Sequence, residues 1–228
     1  MNISGNPKFN INIVVARHGS TILNEQNRYQ GSGNDYPLTQ KGANEIALLK
    51  QKMDKFGFSF DAIITSDTIR AQQTAEILTD VSREKFVVDP RIKAFDLGDA
   101  EAKREDEMFT LCRFPILARH KENFAKYLKR VRMFLRDTLA EYNGKTILIV
   151  THEDISGLID SYLSNYFILK APRNGIKNGN ARFYRLTDDN VYSKEQIDIN
   201  PKRIHFRGPR TAFFYKDEIF GENQITKE

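Results

Sequence analysis

INIVVARHG, residues 11–19, passes from a nearly continuous apolar, β-branched run into Arg-His-Gly within a single position. An apolar run without regular alternation predicts a strand covered on both faces, as at the centre of a parallel sheet. Its abrupt end at Arg17 marks the carboxyl edge, where open α/β sheets bind their ligands. Thr146–Thr151 (TILIVT) repeats the pattern and runs straight into His152. Two histidines and an arginine are thereby expected on one rim of one sheet.

Outward from these strands the chain alternates. Residues 20–39 are polar and glycine-rich, and Thr39 is an N-cap candidate for a helix over about 40–56, with Ile46, Leu49 and Met53 near helical spacing. Phe60–Thr65 is a second strand, residues 68–80 a second helix, and Phe86–Val88 a third strand. Residues 121–142 carry Phe124, Leu128, Val131, Phe134, Leu135 and Leu139 along one side and predict a long amphipathic helix, stopped by Asn143-Gly144. A helix from Asp154 to Tyr166 and strands at 181–186 and 191–197 complete the reading. This order predicts an α/β fold, a three-layer α/β/α sandwich on a mixed, mostly parallel sheet. No repeat or linker divides residues 1–228, so one domain is expected, with an uninterpretable, Pro115-broken stretch over about 96–120 and a basic extension from about 201.

The composition excludes several classes. A lone cysteine, Cys112, forbids a disulfide framework, and the four histidines (18, 120, 152, 205) show no local metal-ligand spacing. No apolar run approaches about 18 residues, so no membrane span is expected, and the polar MNISGNPKFN does not resemble a signal peptide. A cytoplasmic protein is the expectation. Residues 1–100 carry 12 basic and 12 acidic side chains, while residues 101–228 carry 23 and 18. The resulting pI near 9.2 suits an anionic partner, although a solvated surface gives the same number. Lys126, Lys129, Arg130, Arg132 and Arg136 read as the solvated face of the long helix. KRIHFRGPR (202–210) mixes arginine with aromatics, but no recognised nucleic-acid module accompanies it, so nucleic acid is not an expected partner.

The rim residues fit phosphoryl transfer. That chemistry needs cations for the equatorial oxygens, a nucleophile for phosphorus and, for basic leaving groups, a proton donor. A neutral imidazole in the right tautomer can attack, and guanidinium forks match phosphate oxygens. Arg17 and His18 supply one of each, with Arg70 a second fork and His152 a further donor. Each also has an ordinary alternative: a packed histidine, a surface ion pair, or a cap at Ser66 or Thr151.

Three segments tip the balance. RHGSTILNEQNRYQGSGNDYPLTQKG (17–42), ITSDTIRAQQTAEIL (64–78) and TILIVTHEDISGLI (146–159) resemble the histidine phosphatase superfamily, in its phosphoglycerate mutase-like branch. The resemblance implies that His18 is a phosphorylated nucleophile, that Arg17, Asn24 and Arg70 contact the phosphoryl group, and that His152 donates to it. It implies a lid or cap over the site at about 96–120, and it implies no metal and no organic cofactor. The expected partner is a small phosphorylated substrate or a phosphoprotein.

The chain also departs from the pattern. Family members carry a glutamate general acid in a stretch like LRExxxGxxEG, and here Ala94 stands in its place within IKAFDLGDAE (92–101), with Ala100 where a tryptophan is common. Glu153 replaces the usual glycine after the second histidine and is a candidate proton donor, with Asp96, Asp99 and Glu101 as rivals. Leaving groups of low basicity, such as phosphoanhydrides or phosphohistidine, manage without a strong acid. No segment resembling ERHYG occurs, so a mutase is not expected. The expected function is a metal-independent phosphatase working through phospho-His18. The alternative is a catalytically weak or inactive member that binds phosphorylated ligands or partners.

Overall fold

The computed structural model describes residues 10–104, 107, 122–163, 175–187 and 191–197. Its centre is β1 (Asn10–Arg17), whose side chains alternate between two cores. Ile11, Ile13 and Val15 join Ile147 and Ile149 of β4 (Thr146–Thr151) in one cluster with Val131 and Leu135 of α4 (Phe124–Glu141) and Ile155 and Ile159 of α5 (Glu153–Leu163). Val14 and Ala16 join Leu148 and Val150 in the other, against Ile46 and Leu49 of α2 (Gln40–Lys55) and Ala71 and Ala75 of α3 (Ile69–Thr79). Helices thus cover both faces, giving the α/β/α sandwich that the doubly buried strands predicted.

The remaining strands are β2 (Ala62–Thr65), β3 (Val87–Val88), β5 (Ala181–Thr187) and β6 (Val191–Ile197), in the sheet order β3-β2-β4-β1-β5-β6. The first four are mutually parallel, while β5 runs antiparallel to β1 and β6 antiparallel to β5. The register places Arg17 opposite Thr151, so β1 and β4 end level. That alignment sets His18 and His152 side by side.

Local chemistry explains the details. Thr39 caps α2 by accepting from the Gly42 N–H at 3.1 Å. A short helix, α1 (Ile22–Glu25), interrupts the polar, glycine-rich stretch; Thr21 and Asn24 form a reciprocal cap around it. Phe124, expected on the apolar side of the long helix, is 54% exposed, and Tyr127 is buried instead. The helix begins at Phe124 rather than 121, with Asn123 as its N-cap. Arg130 is likewise no solvated residue: it donates to the carbonyls of Arg91 at 2.6 Å and Ala94 at 3.2 Å, bracing that segment. Of the expected cap over 96–120, residues 98–104 fold back on the loop after α1, with the Tyr29 N–H donating to the Lys103 carbonyl. Residues 108–121, with Cys112 and His120, and the basic tail with His205 lie outside the described residues.

Candidate active site

His18 sits one residue past β1 and is buried. Its backbone N–H donates to the Thr151 carbonyl at 3.1 Å, continuing the ladder. Its Nδ1 lies 2.8 Å from the Gly19 carbonyl, which can only accept. The proton therefore resides on Nδ1, and Nε2 keeps its lone pair. Burial, followed by the positive fields of Arg70 and Arg17, holds the imidazole well below its ordinary pKa. This is a neutral, oriented imidazole with a lone pair on Nε2. Gly19 makes the turn possible, because a Cβ there would lie 2.5 Å from the Gly42 carbonyl oxygen.

Two guanidinium groups flank it, both buried. Arg17 Nη1 donates to the Ile176 carbonyl at 3.2 Å and is ion-paired with Glu153 Oε2. Arg70, entirely shielded from solvent, reaches from the first turn of α3. It donates to the carbonyls of Gly31 at 2.9 Å and Asn34 at 3.1 Å and approaches Asp35 Oδ1 at 3.4 Å. Burial lowers its pKa to about 10, which leaves it charged at neutral pH. The Nε atoms of both arginines are buried with no partner. A buried unmatched donor costs about 1–3 kcal/mol, more when charged, so each of these two arginines keeps donor capacity that the protein itself leaves unused.

His152 packs edge-on against His18, with ring centroids 5.2 Å apart. Its Nε2 is 2.9 Å from Ser66 Oγ, and its Nδ1 lies 3.4 Å from Arg70 Nη2. Burial, then Arg70, keeps this imidazole neutral too. Asn24 Oδ1 accepts from Thr21 N, Thr21 Oγ1 and Asn178 Nδ2, each at 3.2 Å. Three donors on the oxygen leave the Asn24 amide nitrogen as the group's remaining donor. Asn178 also donates to the His18 carbonyl at 3.1 Å, tying the 175–180 loop to His18. Sequence reasoning passed over Asn178 and read Ser66 as a cap; the Asn-rich NGN (178–180) beside a strand start was the one available signal.

The carboxylates are distributed around this centre. Glu153 meets Arg17 with one oxygen and Lys177 Nζ, 3.1 Å away, with the other. Asp154, which sequence reasoning did not single out, accepts from the Phe95 N–H at 2.8 Å and the Tyr127 hydroxyl at 3.0 Å. Glu101 binds Gly33 N and Asn34 Nδ2, both at 2.8 Å, on the loop that Arg70 holds. Asp96 Oδ1 accepts from Gly98 N at 2.9 Å, and Asp99 is exposed. Ala94 is 7% exposed and offers no titratable group. Among the described residues no cluster of three or more His, Cys, Asp or Glu side chains offers a metal-ion cage.

The sequence model of the histidine phosphatase superfamily (branch 1) matches residues 13–196, spanning every element of this site. The chain belongs to that superfamily. Among histidine phosphatases, the Yersinia enterocolitica protein named "Probable phosphoglycerate mutase GpmB" is 37% identical over 93 residues, 41% of this chain and 42% of the relative. The chain thus spans less than half the length of the curated relatives it matches. Solved structures resemble nearly the whole fold. The alpha-ribazole phosphatase of Shigella flexneri aligns with TM-score 0.65 and 24% identity over 87% of this chain and 95% of that one. The phosphoserine phosphatase of Entamoeba histolytica, solved with 3-phosphoglyceric acid, aligns with TM-score 0.66 and 19% identity over 80% and 97%. A phosphoglycerate mutase of Bacillus anthracis gives TM-score 0.66 and 21% identity over 84% and 95%. At these identities the likeness establishes the phosphoglycerate mutase-like fold. No helix among the described residues is long and apolar enough to cross a membrane.

Proposed function

We propose that this histidine phosphatase hydrolyses a phosphorylated substrate through a phosphohistidine on His18. The observation that carries the reading is the lone pair left on His18 Nε2, on a buried ring that lies in the fields of two buried guanidinium groups, Arg70 and Arg17. In the first step Nε2 attacks phosphorus, forming the N–P bond while the bond to the leaving group breaks. Arg17 and Arg70 neutralise the equatorial oxygens, and the Asn24 amide nitrogen supplies a further donor. In the second step a water oxygen bonds to phosphorus, the N–P electron pair returns to Nε2, and phosphate departs.

His152 serves both steps as a donor to the phosphoryl group. Arg70 can only donate, so His152 Nδ1 accepts and Nε2–H donates to Ser66. When a phosphoryl group that carries a proton arrives, that O–H proton passes to Nδ1; the imidazolium so formed keeps Nε2–H on Ser66 and returns an Nδ1–H hydrogen bond to the phosphoryl oxygen. Ser66 is the positioning residue that holds the ring for this contact. Glu153 acts through Arg17, holding the fork in place. The substrate is a small phosphorylated molecule or a phosphoprotein in the cytoplasm.

Hydrolysis of p-nitrophenyl phosphate in the presence of EDTA, over pH 5–8, tests the reading. Turnover by the native chain and loss in His18→Ala is the expected result; no turnover by folded native protein shifts the reading to a phosphate-binding member. The relatives named for phosphoglycerate mutase support a second reading, intramolecular phosphoryl transfer. Incubation with 3-phosphoglycerate distinguishes it: a mutase gives 2-phosphoglycerate, a phosphatase gives inorganic phosphate.

A further inference from the structure

Two side chains grip the loop over residues 31–34. Arg70 takes it by the Gly31 carbonyl, with Nη2 at 2.9 Å, and by the Asn34 carbonyl, with Nη1 at 3.1 Å. Nη2 also lies 3.4 Å from His152 Nδ1. Glu101 takes the same loop with both carboxyl oxygens: Oε1 accepts from the Gly33 N–H and Oε2 from Asn34 Nδ2, each at 2.8 Å. The loop is shaped to receive that group. Gly31 adopts a φ of 54°, and a Cβ there would run into Glu101 Oε1. At Gly33 a Cβ would lie 2.6 Å from Oε2. Two positions without side chains and two donors thus enclose one carboxyl group. The segment that carries Glu101 is itself fastened. The Tyr29 N–H donates to the Lys103 carbonyl at 2.9 Å, the Ala102 N–H to the Tyr29 carbonyl at 2.7 Å, and Arg28 Nη1 to the Ala102 carbonyl at 2.7 Å.

From this arrangement we infer that Glu101 is a positioning residue for phosphoryl binding, clamping the 31–34 loop so that the Gly31 and Asn34 carbonyls aim the Arg70 fork. The inference rests on the phosphatase reading above, in which Arg70 meets the phosphoryl oxygens. A guanidinium is planar and its donors point in fixed directions, so two carbonyls on Nη1 and Nη2 set the orientation of the whole group. The carbonyls are only as fixed as the loop that carries them. Without Glu101 that loop loses two hydrogen bonds, and its two glycines regain a wide range of backbone conformations. The fork then meets the phosphoryl group over a spread of angles rather than one, and stabilisation that depends on preorganised donors falls. Glu101 acts here through Arg70 and transfers no proton.

The test compares Glu101→Ala and Glu101→Gln with the native protein, by titration with inorganic phosphate and by kcat/KM for p-nitrophenyl phosphate and glycerol 3-phosphate. Glu101→Ala should weaken phosphate binding about tenfold and lower kcat/KM for both esters by a similar factor, since two hydrogen bonds are lost. Glu101→Gln should recover most of that loss. Its amide oxygen accepts from the Gly33 N–H, and Asn34 can turn its own amide to accept from the new nitrogen. A proton donor would fail in both variants, and far more on glycerol 3-phosphate than on p-nitrophenyl phosphate. In an Arg70→Lys background the fork is already gone, so adding Glu101→Ala should cost less than about threefold. If Glu101→Ala does not fold, Glu101→Asp, a methylene short of its two donors, takes its place. Three results overturn the inference and leave the phosphatase reading intact: native-like binding and kcat/KM in the folded variant, a full tenfold loss on top of Arg70→Lys, or a loss confined to glycerol 3-phosphate. Native protein that neither binds phosphate nor turns over p-nitrophenyl phosphate overturns both.

Discussion

Ser66 Oγ lies 2.9 Å from Nε2 of His152, so a residue just past β2 fixes the ring orientation of a histidine just past β4. Both partners are buried, and water does not replace the contact freely. Ser66→Ala should therefore leave His152 Nε2–H without its acceptor and the ring less firmly oriented. The expected outcome is a loss of about tenfold in kcat with little change in KM, at a stability cost of about 1 kcal/mol. A loss confined to KM contradicts the positioning role. Ser66→Thr, which keeps a hydroxyl, should restore part of the rate.

Glu153 separates two roles by substrate. As the anchor of Arg17, its loss in Glu153→Gln should slow p-nitrophenyl phosphate and alkyl phosphates alike, by about tenfold, because the phosphoryl ligand is displaced in both. As a proton donor it would matter far more for alkyl phosphates. Parallel kcat/KM measurements on p-nitrophenyl phosphate and glycerol 3-phosphate decide between them.

How much of this was legible follows from where the information sits. The buried strands, their carboxyl ends and the residues Arg17, His18, Arg70 and His152 are local signals: a β-branched run, then a polar residue. The structure brings those four together with Asn24. What escaped the sequence were contacts between segments far apart in the chain, such as Asn178 on Asn24 and Asp154 on Phe95. Nothing in a linear pattern says which carboxylate turns toward a cation. Helix α1 was hidden for a different reason, since its single turn depends on the Thr21–Asn24 cap rather than on apolar periodicity.

Arg70 couples ligand binding to the fold. Its guanidinium holds the 31–35 loop through two carbonyls and Asp35, so its removal leaves buried acceptors unmet. Arg70→Ala should lower stability by about 2–4 kcal/mol and weaken inorganic phosphate binding by more than tenfold. Arg70→Lys keeps the charge but not the fork, and should recover stability more than affinity. Urea denaturation and isothermal titration with phosphate measure the two effects.

Stability should depend on pH through the two histidines. His18 and His152 are both held well below the ordinary value of 6.5, by burial first and by Arg70 second. As the pH falls below 6.5 the unfolded chain takes up protons that the folded chain refuses. Stability contributed by each is present above that value and is lost below it, at up to about 1.4 kcal/mol per pH unit. The urea midpoint should drop between pH 7 and pH 5, and by less in His152→Ala. An equal drop in native protein and variant removes His152 from the effect.

The central claim is a covalent bond between phosphorus and His18, and alkaline-quench mass spectrometry during turnover of p-nitrophenyl phosphate tests it most directly. The account predicts a phosphoryl adduct on the peptide containing His18, absent before substrate and absent from His18→Ala. Steady hydrolysis with no adduct at His18, or with turnover intact in His18→Ala, contradicts it.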